Sequence, residues 1–237
     1  MTEGDGAAAC TLACVRLPDA GQPALERKLR QRMATVAPAQ LDRIDRLRQP
    51  ADRLRSMLGQ LLLRHLLRAA GLTEAPQIAI GPYGKPCLRL AEPHRCAPEF
   101  NISHAGRWVV CALAPTPVGI DIEQVRAIDL GIAERFFQRA EYAALMRLTS
   151  AQRLDRFFRL WTAKEAYVKA LGVGLHRDFA SFGVAPLDDP LVHLQPFALT
   201  YPAIEHGYHL ALCSAARAPL QPTAVPIARL LAPYPPA

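Results

Sequence analysis

The sequence has no long apolar run. No stretch of its 237 residues reaches the roughly 18 to 20 uninterrupted apolar residues that a membrane-spanning helix requires. Its start, MTEGDGAAAC, lacks the basic segment followed by an apolar segment that marks a secretory signal peptide. Because 51% of the residues are hydrophobic, we expect a globular, cytoplasmic protein without a membrane partner. The length fits one large domain or two small domains closely joined.

Cysteine pairs and aromatic residues are also scarce. No CxxC pair of the kind that builds zinc or redox sites occurs among the six cysteines. We expect these cysteines to be reduced and mostly buried as small core residues. Aromatic residues make up only 7% of the chain, too few to favour the interleaved stacking surface of a single-stranded nucleic-acid binder.

Positive charge is in excess. The net charge of +7 and the isoelectric point near 9.3 indicate an anionic partner, which the composition leaves open among nucleic acid, a phosphorylated ligand and an acidic protein. Many arginines fall within one short region: Arg43, Arg46, Arg48, Arg53, Arg55, Arg64 and Arg68. This cluster fits either a solvated helix face or a phosphate clamp.

Hydrophobic spacing predicts an α+β protein. Helices are predicted at about 25–47, 51–70, 129–147 and 151–171. Strands are predicted at 9–17, 77–80, 87–90, 99–103, 107–114, 118–123, 181–185, 207–214 and 223–230. The short connections favour antiparallel pairing. The order β-α-β-β-β followed by β-α-α-β-β suggests one layout used twice, and the proline-rich tail APYPPA is expected to fray.

Two acids interrupt the apolar strand VGIDIE. Side chains alternate along a strand, so Asp121 and Glu123 project from one face while Ile120 and Ile122 project from the other. The Cβ atoms of alternate residues lie about 6 to 7 Å apart. Two carboxylates at that spacing repel each other unless a positive group lies between them. A divalent ion such as Mg²⁺ or Mn²⁺ would serve. The alternative is a half-exposed strand with an acidic outer face.

A third acid lies on the helix RFFRLWTAKEAYVKALG, residues 156–172. Glu165 borders the apolar stripe that includes Trp161 and Val168, and Lys169 follows four residues later. The two charged residues are either an ordinary helical ion pair or part of a metal and phosphate site. In the second case Glu165 adds a third carboxylate and Lys169 supplies a cation for phosphate.

Two shorter segments fit a phosphate ligand. In PYGKP, Gly84 permits close approach of the backbone, Lys85 supplies a cation and Pro86 stiffens the turn. In FNISHAG, Ser103 and His104 end a strand, where a hydroxyl and an imidazole can donate to phosphate oxygens. Alone, GKP is often a hairpin turn, and SH is more often a strand end than a ligand site. The informative feature is their joint occurrence in this order.

Taken together, these motifs resemble those of the 4′-phosphopantetheinyl transferases, specifically the Sfp-type branch. The resemblance runs from about residue 43 to residue 184, and it includes the spacing between motifs. Its segments are GKP (84–86), FNISH (100–104), GIDIE (119–123) and WTAKEAYVKALGVGL (161–175).

The resemblance implies both an activity and a fold. Such enzymes transfer the phosphopantetheine arm of coenzyme A to a serine of an acyl, peptidyl or aryl carrier protein and release 3′,5′-ADP. The implied fold is a pseudo-dimer of two similar α/β halves, each a small, mainly antiparallel sheet packed with helices. We expect the halves to be 1–116 and 117–237, with coenzyme A and Mg²⁺, or alternatively Mn²⁺, between them. We also expect a monomer that serves fatty acid, polyketide or nonribosomal peptide biosynthesis.

The resemblance also assigns the reactive residues. Asp121, Glu123 and Glu165 are expected to bind the metal, and Glu165 is also expected to be the general base for the carrier serine, directly or through a water. Lys169 resembles the residue that binds the pyrophosphate and stabilises the departing phosphate. Lys164 is expected either to assist with phosphate or to orient the helix.

Further residues resemble contacts to coenzyme A. They include Lys85, Ser103 and His104. Those expected near the 3′-phosphate are Arg43, Arg46 and Ser56. One departure from the family is Ala105, where serine often follows the SH pair, so one hydroxyl contact is absent.

Two other classes of function remain. A basic nucleic-acid-binding protein is disfavoured because the acids at 121, 123 and 165 would repel a phosphate backbone without a metal. A family member that binds without catalysis is disfavoured because all the predicted metal and catalytic residues are intact: Asp121, Glu123, Glu165 and Lys169.

Overall fold

A computed structural model describes residues 9–19, 23–72, 76–90, 96–174, 177–184, 189, 191–216 and 218–233. The first half of the chain contains β1 (Thr11–Arg16), α1 (Pro23–Val36), α2 (Leu41–Asp45), α3 (Pro50–Ala69), β2 (Gln77–Ile80), β3 (Pro86–Arg89), β4 (Glu99–Ala105) and β5 (Trp108–Ala114). The second half contains β6 (Val118–Gln124), α4 (Gly131–Phe136), α5 (Arg139–Met146), α6 (Ser150–Leu171), β7 (Leu191–Leu194), β8 (Phe197–Thr200), β9 (Tyr208–Ser214), β10 (Thr223–Ala224) and α7 (Ile227–Leu231).

Two four-stranded sheets organise the molecule. The first has the order β10-β1-β5-β4, in which only the β1–β10 pair is parallel. The second has the order β6-β9-β8-β7 and is antiparallel throughout. Strands β2 and β3 form a separate antiparallel hairpin. The predicted α+β fold of two similar halves is therefore confirmed.

Three apolar layers hold these sheets and helices together. Helices α1 and α3 pack on the outer face of the first sheet, where Leu61 and Val109 are fully buried. The inner faces of the two sheets meet each other through residues such as Val110 and Ile120. Helix α6 packs on the outer face of the second sheet, where Ala163 is fully buried. The inner layer thus joins the two halves through hydrophobic core.

The end of the chain returns to the first half. Strand β10 pairs with β1, and α7 contributes Leu230 to the same core as α3. Residues 223–231 therefore pack with the first half, although the predicted division assigns them to the second. That division, at residues 116 and 117, remains a prediction.

Several element boundaries differ from the sequence predictions. The helix predicted at 25–47 ends at Val36, because Pro38 cannot donate a helical hydrogen bond and starts a 3₁₀ turn at Pro38–Gln40. The helix predicted at 129–147 divides before Gln138, whose side chain and Glu141 form a capping box at the start of α5.

Other differences concern the late strands. The strand predicted at 181–185 is wrong, because Phe179–Ser181 is a 3₁₀ turn and residues 182–184 are irregular. In the segment 223–230 only Thr223–Ala224 is a strand, and a helix follows. Strands β7 and β8 were not predicted.

Some local predictions agree with the structure. Helix α3 starts at Pro50, and Gly71 just beyond its end has the left-handed φ of 80° that favours glycine. All six cysteines are free, and Cys10, Cys14, Cys111 and Cys213 are buried. Within the described ranges, the helices are all too short or too polar to cross a membrane. The tail 234–237 lies outside the described residues.

Candidate active site

Strand β6 presents its acids to α6. Asp121 pairs with Ala211 of β9, and Ala211 belongs to the core beneath α6. Ile120 and Ile122 point to the opposite side, into the core between the two sheets. The predicted alternation is confirmed, and it leaves Asp121 only 4% exposed.

Helix α6 carries the two other charged residues of the site. A capping box of Thr149 and Gln152 starts this helix, and Gly172, with a φ of 72°, ends it. Glu165 and Lys169 are four residues apart, so they face the same side. The Lys169 Nζ lies 2.5 Å from Asp121 Oδ1, which joins the helix to the strand by an ion pair.

These side chains surround one open cavity of about 340 Å³ between the two halves of the fold. Its lining residues are Ile102, Ser103, His104, Asp121, Ile122, Glu123, Glu165 and Lys169. The structure therefore brings together all of the predicted metal and catalytic residues. It also places three of the predicted coenzyme A contacts there, namely Ser103, His104 and Lys169.

The side chains of β4 connect the first half to β6. Asn101 Oδ1 accepts a hydrogen bond from the Ile120 backbone N–H at 3.0 Å, and Ser103 Oγ accepts one from Ile122 N–H at 3.3 Å. Ser103 Oγ also donates to Asp121 Oδ1 at 2.9 Å. The role of Asn101 was not predicted from the sequence. Its position two residues before Ser103 places it on the same face of the strand, and this spacing was the available signal.

Burial shifts the protonation of the acids. Burial first, and the charge of Asp121 second, raise the pKa of Glu123 to about 7. Burial also raises the pKa of Glu165, although the nearby Lys169 ammonium opposes this shift. The pKa of His104 is lowered, chiefly by burial and then by the positive charge of Arg55. Without an added cation, the Glu123 and Glu165 carboxylates therefore bind protons at a higher pH than exposed glutamates do.

The donor chemistry of the cavity fits a hard divalent cation. Three carboxylates line it, and Asp121 Oδ2 is buried without a hydrogen-bond partner. Oxygen donors of this kind suit Mg²⁺ or Mn²⁺. In the part of the chain that the structure describes, no three His, Cys, Asp or Glu side chains already form a metal cage. A cation would therefore require these side chains to move, beginning with the Lys169 ammonium on Asp121.

A second cavity, of about 260 Å³, adjoins the first at His104. Its lining includes Arg43 and Ser56, for which contact with the 3′-phosphate remains a prediction, and also Gln60 and Asn101. Gln60 Oε1 is buried there without a hydrogen-bond partner.

Two of the predicted coenzyme A contacts line neither cavity. Arg46 is exposed at the C-terminal end of α2. The Lys85 ammonium lies 3.1 Å from Glu99 Oε2. Both assignments stay predictions.

Lys164 lies on the opposite side of α6 from the cavity. Its side chain is completely buried and forms an ion pair with Glu141 Oε2 at 2.8 Å. It also donates to the carbonyl oxygens of Phe179, at 2.8 Å, and Phe182, at 2.6 Å. This burial excludes contact with a phosphate in the cavity. It leaves the other predicted role, which is to orient the helix.

Comparisons with known proteins identify the family of the chain. A family model described as the 4′-phosphopantetheinyl transferase superfamily matches residues 117–213. A second, described as 4′-phosphopantetheinyl transferase, N-terminal, matches residues 22–116. The two matches meet at the seam that contains the cavity.

Individual relatives match most of the chain. The 4′-phosphopantetheinyl transferase Sfp of Bacillus subtilis (strain 168) is 34% identical over 192 residues, which cover 77% of this chain and 84% of that protein. A further Bacillus subtilis 4′-phosphopantetheinyl transferase is 37% identical over 193 residues, covering 77% and 84% respectively. The 4′-phosphopantetheinyl transferase gsp of Aneurinibacillus migulanus is 37% identical over 170 residues, or 69% of each chain. The chain belongs to the 4′-phosphopantetheinyl transferase superfamily, and it is a transferase of the Sfp type.

Proposed function

We propose that this transferase moves 4′-phosphopantetheine from coenzyme A to a serine of an apo acyl, peptidyl or aryl carrier protein, with Mg²⁺ as the metal. The observation that carries the proposal is the convergence of Asp121, Glu123, Glu165 and Lys169 on one cavity. Three acids and one ammonium at a seam fit a reaction in which a cation and a phosphate meet.

The two adjoining cavities support coenzyme A as the donor. Arg43 and Ser56 in the second cavity suit the phosphorylated nucleotide end. His104 lines both cavities and would face the pyrophosphate. The pyrophosphate would then reach Lys169 in the first cavity, with the pantetheine arm leading out of it. A ligand bound in this way would contact both halves of the protein.

The reaction forms one P–O bond and breaks another. The carrier serine oxygen attacks the phosphorus that bears pantetheine, and the bond from that phosphorus to the bridging oxygen breaks to release 3′,5′-ADP. Glu165 accepts the serine proton. Burial raises the pKa of Glu165 and so favours proton uptake, whereas the neighbouring Lys169 ammonium, and the divalent cation when bound, oppose this shift. Lys169 stabilises the negative charge that develops on the departing phosphate.

Asp121, Glu123 and Glu165 would hold the divalent cation. When bound, it would offset the repulsion among the three carboxylates and part of the phosphate charge. Ser103 orients Asp121 by donating to its Oδ1. The Lys169 ammonium, which now lies on that same oxygen, would be released toward the phosphate.

The test is the intact mass of apo carrier proteins after incubation with the enzyme, coenzyme A and Mg²⁺. Carriers from fatty acid, polyketide and nonribosomal peptide systems should be tried in parallel. We expect at least one to gain the mass of one phosphopantetheine group, together with an equimolar release of 3′,5′-ADP. A carrier with its acceptor serine changed to alanine is the matched control. The absence of any mass gain across all three classes would reject the proposal.

A further inference from the structure

Lys85 connects three separate elements through its ammonium group. It lies between β2 and β3, where it directly precedes Pro86. Its Nζ forms an ion pair with Glu99 Oε2 at 3.1 Å. It also donates to the backbone carbonyl of Val118 at 3.2 Å and reaches that of Ala170 at 3.5 Å. An ammonium has three protons, so these acceptors use its full donor capacity.

The three acceptors belong to the elements that build the candidate active site. Glu99 begins β4, which carries Ser103 and His104. Val118 begins β6, which carries Asp121 and Glu123. Ala170 lies in the last turn of α6, downstream of Glu165 and Lys169. One ammonium group thus contacts β4, β6 and α6 and can fix their relative positions.

The end of α6 is shaped to receive this side chain. Carbonyl groups in the last turn of a helix lack helical partners and carry partial negative charge, so an ammonium is favourable there. Gly172 follows with a left-handed φ, and a Cβ at that position would lie only 3.1 Å from Lys85 Cδ. The absence of a side chain at 172 therefore leaves room for the lysine stem against the helix end.

We propose that Lys85 is a positioning residue that sets the alignment of β6 and α6 from the first half of the protein, rather than a ligand of coenzyme A. Its side chain is only 16% exposed, and it lines neither cavity. Glu99 shares the role because it holds the ammonium from the side of β4. This inference rests on the proposed function, since the alignment of β6 and α6 serves the transfer reaction.

The test separates alignment from ligand binding by steady-state kinetics. Lys85→Met keeps the aliphatic stem and removes the ammonium. We expect kcat to fall about 100-fold, because a small misplacement of reacting groups has an effect of that size. We expect KM for coenzyme A to change by less than about twofold, because no direct contact with it is lost. Glu99→Gln should lower kcat in the same direction, and the double variant should lose less than the two single losses combined. Arg89→Met removes an exposed charge from the same hairpin and is the matched control.

Hydrogen exchange of the intact protein supplies a readout independent of activity. We expect Lys85→Met, but not Arg89→Met, to speed exchange of the amides at 169–173. The proposal would be overturned in favour of direct ligand contact if Lys85→Met raised KM for coenzyme A with unchanged kcat while Glu99→Gln had wild-type kinetics. Wild-type kinetics and exchange in Lys85→Met would also overturn it. If no carrier is modified by the wild-type protein, the proposed function fails, and exchange still shows whether Lys85 secures the end of α6.

Discussion

Gly119 of β6 lies directly against the backbone of Ala166 in α6. A Cβ placed at Gly119 would overlap the carbonyl oxygen of Ala166 and the backbone nitrogen of Ala170. The strand and the helix therefore pack backbone to backbone at this point. The ion pair between Lys169 of α6 and Asp121 of β6 lies beside this contact, so a side chain at 119 would push apart the two elements that carry the candidate active site.

Gly119→Ala should consequently impair both activity and stability. Rigid backbone atoms cannot yield to the methyl group, so α6 must move away from β6 and carry Glu165 with it. We expect transfer to fall by about 100-fold or more, with a lower melting temperature. Gly131→Ala is the control, because a Cβ there meets chiefly the side chain of Asp129, which can shift. Wild-type transfer by Gly119→Ala would refute the backbone contact as a determinant of the site.

Glu123 should make the stability of the metal-free protein depend on pH. Its pKa rises from 4.5 to about 7 on folding. For an acid with a raised folded-state pKa, the stabilisation is complete below the unfolded-state pKa and is lost as the pH rises through the folded-state pKa. We therefore expect the free energy of unfolding to decrease between about pH 5 and pH 8 in the presence of a chelator.

Glu123→Gln should remove this part of the pH dependence, because glutamine does not titrate. The comparison is made by denaturant unfolding of both proteins across the pH range in chelator. The variant should gain stability relative to the wild type as the pH rises. Parallel curves for the two proteins would show that Glu123 keeps an ordinary pKa.

The buried pair of Lys164 and Glu141 should be costly to break. Lys164→Met leaves the Glu141 carboxylate, only 5% exposed, without its cation. Glu141 still accepts from the Val184 backbone N–H at 2.8 Å, but its negative charge is then uncompensated. Loss of one partner of a buried ion pair costs about 3–5 kcal/mol. Chemical denaturation measures this loss.

Removing both charges distinguishes the pair from packing alone. Lys164→Met combined with Glu141→Gln should recover part of the lost stability, because no unpaired charge remains. This account would be contradicted if the double variant lost more free energy of unfolding than the two single variants lose in sum.

The sequence was sufficient to predict which charged residues share a face of a strand or helix, and much of the architecture. Alternation placed Asp121 and Glu123 on one face of β6, and helical spacing placed Glu165 and Lys169 on one side of α6. Both patterns depend only on local backbone geometry. That these pairs share one cavity with Ser103 came from the resemblance to a family, since spacing along the chain does not determine tertiary distance.

Other features depend on tertiary contacts that no local pattern reports. In the sequence, Gly119 is recognisable only as part of the segment GIDIE, because its importance comes from the helix packed against it. Lys164 has a polar side chain in a region of aromatic core, and its burial follows from Glu141, which is distant in sequence. Strands β7 and β8 were missed because Gln195–Pro196 between them is not one of the glycine or asparagine turns that signal a hairpin.

The central claim is that the acids at the seam perform phosphopantetheine transfer, and Glu165→Gln tests it most directly. This change keeps the size of the side chain and removes its capacity to accept a proton. With saturating coenzyme A, Mg²⁺ and an apo carrier that the wild-type protein modifies, the rate is followed by intact carrier mass. The account predicts a loss of at least about 100-fold with a melting temperature no lower than that of the wild type, and transfer at the wild-type rate by Glu165→Gln would contradict it.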